Sequence, residues 1–143
     1  MTTENATRTA VQDFLRVMAA GEDLGPLFAE SVDWKLDWPD EGHPDVPWIR
    51  SRTTREEAAA HFRELREYHV PEKNASQVHQ ILVDGTDAVV LATIAQTVRA
   101  TGHEYTARCA LHLTFENGLI TRYHVYEDSL SVANALSRGA VAA

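Results

Sequence analysis

Two hydrophobic periods follow one another along this chain. In the first third the spacing is helical. "TAVQDFLRVMAAG" puts Val11, Phe14, Leu15 and Met18 on one face and ends at Gly21, which suits the left-handed stop of a helix. "EDLGPLFAES" predicts a short second helix carrying Leu24, Leu27 and Phe28. Alternation by twos takes over in "VDWKLDW". There Val32, Trp34, Leu36 and Trp38 share one face, Asp33, Lys35 and Asp37 share the other, and Pro39 ends the strand. The prolines and glycine of "PDEGHPDVPWIRSR" predict an irregular loop. The next helix has a sharp start, because Thr54 and Glu57 form a capping box, and Ala58, Phe62 and Leu65 make its buried stripe.

After Pro71 the period is two throughout. "SQVHQILVDG", "DAVVLATIAQTVRA", "HEYTARCALHLTF" and "LITRYHVYE" read as four strands joined by tight-turn residues, with Asn117-Gly118 the strongest hairpin signal. "DSLSVANALSRG" closes the chain as a short helix capped by Asp128 or Ser129. Helices, one strand, a helix and then a four-strand meander predict an α+β fold. A strongly curved antiparallel sheet would wrap around the N-terminal and middle helices as a cone, and the open end of the cone would take a small ligand.

Composition narrows the functional classes. The 143 residues suit one domain, 1–143, and a hydrophobic share of 44% beside 24% charged residues is ordinary globular chemistry. With 13 basic and 21 acidic side chains the formal charge is −8, which opposes binding to nucleic acid or to anionic membranes. The opening "MTTENATRTAVQDF" lacks the features of a signal peptide, and no apolar run reaches the ~20 residues of a membrane span. The expectation is a cytoplasmic domain. A lone Cys109 in an alternating apolar segment reads as a buried thiol. The seven histidines show neither H-x-H nor H-E-x-x-H spacing, so no metal is expected. No phosphate loop or nucleophile elbow occurs, so no cofactor is expected either. Glu57 and His61, four apart, read as a helix-surface pair.

The order of elements, with "LFAESVDWKLDWP", "TTREEAAAHFREL" and the closing "FENGLITRYHVYED", resembles the nuclear transport factor 2-like superfamily. Within it the chain is most similar to the SnoaL-like polyketide cyclases and ketosteroid isomerase-related proteins. The resemblance runs from about Thr9 to Leu136. It is specific for fold and unspecific for chemistry, since members include isomerases, dehydratases, cyclases, epoxide hydrolases and binding domains. In SnoaL-like cyclases the last strand ends in a general acid/base aspartate about ten residues after the hairpin glycine; Asp128 stands there. The isomerases' first-strand carboxylate matches Asp37 only loosely. Their first-helix tyrosine has no counterpart, and their second aspartate falls near Leu111. The acid of limonene-type epoxide hydrolases falls at Val125. Ketosteroid isomerisation and limonene-type epoxide hydrolysis are therefore disfavoured. The resemblance also implies a homodimer through the outer sheet face.

Asp128 is thus either a catalyst or only a helix cap, and the two roles can coexist. Strand alternation leaves two arrangements. If Arg122, His124, Tyr126 and Asp128 face the cone, His124, Tyr126 and Asp128 form a catalytic polar cluster. If Thr121, Tyr123, Val125 and Glu127 face it, Tyr123 and Glu127 line the pocket and Asp128 sits at the rim. Trp34, Trp38, Trp48, Phe62 and Leu111 are the expected apolar lining, with Trp38 and Trp48 at the mouth. His112, on the opposite face from Cys109 and Leu111, reads as a surface or interface residue, and Tyr105 reads as an edge aromatic or a hydroxyl donor. The leading expectation is a cofactor-independent enzyme that moves a proton α to a carbonyl in a hydrophobic cyclic or polyketide-like compound. Cyclisation, isomerisation or dehydration would follow. The alternatives are a non-catalytic hydrophobic-ligand-binding domain and a dimerisation module of the same fold.

Overall fold

The computed structural model describes residues 2–137. Helix α1 (Thr3–Ala20) is capped by the Thr2 side chain and stops at Gly21, whose φ of 70° no β-carbon-bearing residue adopts cheaply. The predicted second helix is a single 3-10 turn, Gly25–Leu27. Gly25 and Pro26 disfavour a longer helix, and strand β1 (Phe28–Lys35) begins at Phe28, earlier than the alternation suggests. Helix α2 (Arg55–Tyr68) starts with the expected capping box between Thr54 and Glu57. Then come β2 (Gln77–Asp84), β3 (Asp87–Thr97), β4 (Glu104–Glu116), β5 (Leu119–Glu127) and α3 (Ser129–Ser137). Asn117 and Gly118 both take positive φ, the geometry of a two-residue hairpin turn.

The sheet order is β1-β5-β4-β3-β2. β2 to β5 form the expected antiparallel meander, but β1 joins the edge of β5 in parallel, so the sheet is mixed. A long connection through α2 makes that parallel pairing possible. The register decides which side chains face inward. Leu113 lies opposite Tyr123, Leu111 opposite Val125 and Cys109 opposite Glu127, while His112 lies opposite His124 and Ala110 opposite Tyr126. Leu111, Leu113, Cys109, Tyr123 and Val125 are buried, so the first row is the inner one.

Against that row pack α1 and α2. Phe14, Phe28, Phe62, Trp34 and Tyr123 form one aromatic cluster, with Trp34 stacked on Tyr123 at 4.5 Å and 23°. Truncating such a ring costs roughly 3–5 kcal/mol, which makes this cluster the main anchor of helices on sheet. A smaller cluster lies beside it. Val46 and Trp48 from the irregular loop meet Ala107 of β4 and Val132 of α3. No helix among the described residues is long and apolar enough to cross a membrane.

Candidate functional site

The last strand carries two adjacent carboxylates, and the pleat sends them to opposite environments. Glu127 follows Tyr123 and Val125 onto the inner face. There its Oε1 accepts a hydrogen bond from the indole Nε1 of Trp38 at 2.8 Å. Among the described residues no cation forms an ion pair with it. Burial pushes its pKa up, the Trp38 bond works against that, and the charges of Asp128 and Asp37 push it up further. Asp128 is exposed and caps α3. Its Oδ1 accepts from the Ser131 backbone N–H at 3.1 Å and its Oδ2 from the Ser131 hydroxyl at 2.5 Å, bonds that hold its pKa down.

Around Glu127 the inner wall is polar only where its partners require it. Cys109, directly across β4, has its thiol pushed up to about 11, first by burial and then by the Glu127 charge. Tyr105, two pleats further along β4, is pushed up by the same two causes. Its hydroxyl meets His69 Nε2 at 2.8 Å, and His69 Nδ1 meets the Leu65 carbonyl at 2.7 Å. A carbonyl only accepts, so Nδ1 carries the proton, Nε2 accepts, and Tyr105 donates. Burial holds His69 below its ordinary pKa and so keeps it neutral. Trp48 covers this pair, its ring 5.2 Å from His69.

Of the three residues expected to form a catalytic cluster, His124 and Tyr126 line a cleft beside β5 and Asp128 caps α3 outside it. His124 is on the outer face, with Nε2 3.1 Å from Asp33, and its ring is 6.2 Å from His112, which pairs with Asp87 at 2.9 Å. Tyr126 is also on the outer face and 52% exposed. The structure thus brings His124 and Tyr126 to one cleft and leaves Asp128 outside it. Of the expected lining, Tyr123 and Glu127 face inward, Leu111 is in the core, Trp34 and Phe62 are core residues that each border a cleft, Trp48 packs with Val46 and Val132, and Trp38 holds Glu127. Tyr105 is an internal donor and not an edge aromatic.

His61, expected on the helix surface, and Arg52 are both buried. His61 is fully buried, 4.8 Å from Trp34, and burial, with Arg52 close by, pushes its pKa far down. Arg52 is 3% exposed and binds Glu64, the Glu57 carbonyl and the Trp48 carbonyl. A signal for His61 was present: Ala58, His61, Phe62 and Leu65 have the i, i+3, i+4, i+7 spacing of one helix face.

Two clefts border the packed core. One, of about 410 Å³, lies where β1 leaves the sheet and β5 continues, walled by Leu36, Trp38, Ile49 and Val125 together with the polar Lys35, Asp37, Arg50 and His124. The other, of about 670 Å³, lies between the ends of α1 and α2, walled by Met18, Phe62, Leu65, Arg66 and His69. Glu127 lines neither, but Trp38 lines the first. Both fall within the size range of small-molecule sites. Among the described residues no three His, Cys, Asp or Glu side chains are grouped to hold a metal ion.

The comparisons fit this architecture. The model of the SnoaL-like domain family matches residues 11–123. No curated protein matches the chain. Among solved structures, an NTF2-like protein from Burkholderia xenovorans is 18% identical with a TM-score of 0.73, over 94% of this chain and 98% of that one. A second NTF2-like protein, from Burkholderia thailandensis, is 18% identical with a TM-score of 0.76, over 92% and 98%. An LEH-like epoxide hydrolase from M. tuberculosis is 15% identical with a TM-score of 0.69, over 95% and 92%. At these identities the likeness establishes the fold.

Proposed function

We propose that this chain, which belongs to the SnoaL-like domain family, moves a proton on a hydrophobic cyclic or polyketide-like carbonyl compound, with Glu127 as its acid/base group. The observation that carries this reading is the state of that side chain. It is a carboxyl on the inner face of the cone, held by one indole N–H, with no cationic partner among the described residues and a pKa raised by burial. A carboxyl so placed gives up and takes back protons nearer neutral pH than an exposed one, which suits abstraction of a proton α to a carbonyl. Return of that proton to another atom of the enol isomerises the compound. Attack of the enol carbon on a second carbonyl cyclises it, and loss of a β-hydroxyl as water dehydrates it. The aromatic wall would hold a flat apolar substrate, and Tyr105 would fix the polar end of the site through His69.

The test is deuterium uptake. A panel of cyclic ketones and 1,3-diketones is incubated in D2O with the parent protein and with Glu127→Gln, and uptake at the α-carbon is followed by NMR. The parent accelerates exchange of at least one member, and the variant loses ~100-fold or more of that acceleration. Equal rates for parent and variant would sink the reading. A non-catalytic ligand-binding role is the second reading, and the aromatic filling of the cone favours it. It predicts binding of the same compounds without exchange.

We also propose that two copies associate through the outer sheet face, where Leu82 and Tyr126 stand 46% and 52% exposed. Sedimentation of the parent and of Tyr126→Asp tests this, with a monomeric parent as the contrary outcome.

A further inference from the structure

We infer that the 410 Å³ cleft beside β5 is the antechamber of the Glu127 site, that the Trp38 indole closes the passage between them, and that the ligand admitted is a flat ring carrying an O–H or N–H donor. The inference rests on Glu127 being the working group of the protein.

Trp38 belongs to both compartments. It walls the cleft, and its Nε1 holds Glu127, which the cleft does not reach. The backbone under Trp38 is not fixed by the sheet. The β1–β5 ladder ends at Lys35 opposite His124, so Val125, Tyr126 and Glu127 continue without a β1 neighbour, and the cleft occupies that gap. Directly before Trp38, Asp37 takes a left-handed φ of 57°, and Pro39 directly follows. These two residues turn the chain out of the strand and let a single side chain swing without unpairing any ladder bond.

The chemistry of the ligand follows from what the swing removes. Among the described residues the indole N–H is the one side-chain hydrogen bond to Glu127, and a half-buried carboxylate stripped of its donor is costly. A molecule that displaces Trp38 must therefore bring a donor of its own to Oε1. It must also offer a flat apolar face to Leu36, Ile49 and Val125 while its polar edge faces Lys35, Arg50 and His124, since all six line the cleft. A carbonyl compound meets both demands in its enol form. A ring that bears only acceptors does not. The resident group that Glu127 already accepts, an indole, is the simplest member of the class.

The experiment compares indole with 1-methylindole, which has the same shape and no N–H. Affinities are measured by titration calorimetry on the parent, Trp38→Phe, Trp38→Leu and Ile49→Trp. Trp38→Phe and Trp38→Leu remove the competing donor, so indole binds about tenfold tighter to both than to the parent, while 1-methylindole gains much less. Ile49→Trp fills the cleft and abolishes indole binding without touching Glu127. A tryptophan at 38 that merely packs predicts the reverse, with both ligands unchanged or weakened by its loss. That result overturns the inference. So does an equal gain for 1-methylindole, because the variants would then have opened only an apolar hole. Failure here is separate from failure of the catalytic reading: Glu127→Gln can abolish deuterium exchange while the Trp38 variants leave indole binding unchanged. Conversely, indole can bind as described to a protein that exchanges no protons.

Discussion

Glu127 and Asp128 are adjacent in the chain and opposite in state. The first is turned inside against Trp38 with its pKa raised, and the second is turned outside onto Ser131 with its pKa lowered. One peptide unit separates a carboxyl suited to proton transfer from a carboxylate suited to holding a helix.

Asp128 therefore acts on stability through the cap. Asp128→Asn keeps an acceptor for the Ser131 N–H, and Asp128→Ala does not. Thermal unfolding should show the alanine variant melting a few degrees lower and the asparagine variant close to the parent. An alanine variant as stable as the parent would remove the cap assignment.

The raised pKa of Glu127 gives its own dependence on pH. The native state holds that proton more tightly than the unfolded chain does. The resulting stabilisation is full below the ordinary glutamate value of ~4.3 and is lost as pH rises through the higher folded value. Glu127→Gln cannot ionise, so the melting temperature of the variant minus that of the parent should climb as pH rises from about 4 through the raised folded value. A flat difference over that range would mean that Glu127 is not perturbed by burial.

Tyr105→Phe deletes a hydroxyl whose partner cannot turn elsewhere, because His69 Nδ1 is already committed to the Leu65 carbonyl. The Nε2 lone pair would be left buried without a donor. We expect a loss of about 1–2 kcal/mol in urea unfolding, with the fold retained. A loss within ~0.3 kcal/mol would show that water replaces the hydroxyl freely.

Much of this architecture can be read from residue periods. The alternation that places Cys109, Leu111, Leu113 and Phe115 on one face extends back to Tyr105, so the inward direction of Tyr105 was available to the same rule. The capping box and the Asn117-Gly118 turn are local chemistry, and local chemistry survives folding unchanged. Two kinds of information were not legible. One was which face of β5 turns inward, since both rows mix polar and apolar residues; the pairing of Leu113 with Tyr123 settles it only once β4 and β5 are in register. The other was the partner of Glu127. Trp38 reaches it across 89 residues of sequence from an irregular loop, and no spacing rule predicts such a contact. The resemblance pointed to the end of the last strand and to Asp128, one residue past the carboxyl that the pleat turns inward.

The two like charges beside Glu127 provide the last test. Asp128 and Asp37 both push its pKa up, and Asp128 is the larger of the two. Replacing either by asparagine keeps a residue that tolerates its backbone position: a cap at 128 and the left-handed conformation at 37. Each substitution should then lower the pKa of Glu127, Asp128→Asn more than Asp37→Asn, without displacing the Trp38 bond. The protonation midpoint can be followed by side-chain carboxyl NMR of Glu127. If deuterium exchange runs through the ionised carboxylate, its pH profile should move down by the same amount in each variant. Added salt should shrink both effects, because the two aspartates act from the solvent side. A midpoint indifferent to both substitutions would leave burial as the whole cause of the shift. A rate profile that stays in place while the midpoint moves would separate Glu127 from the chemistry.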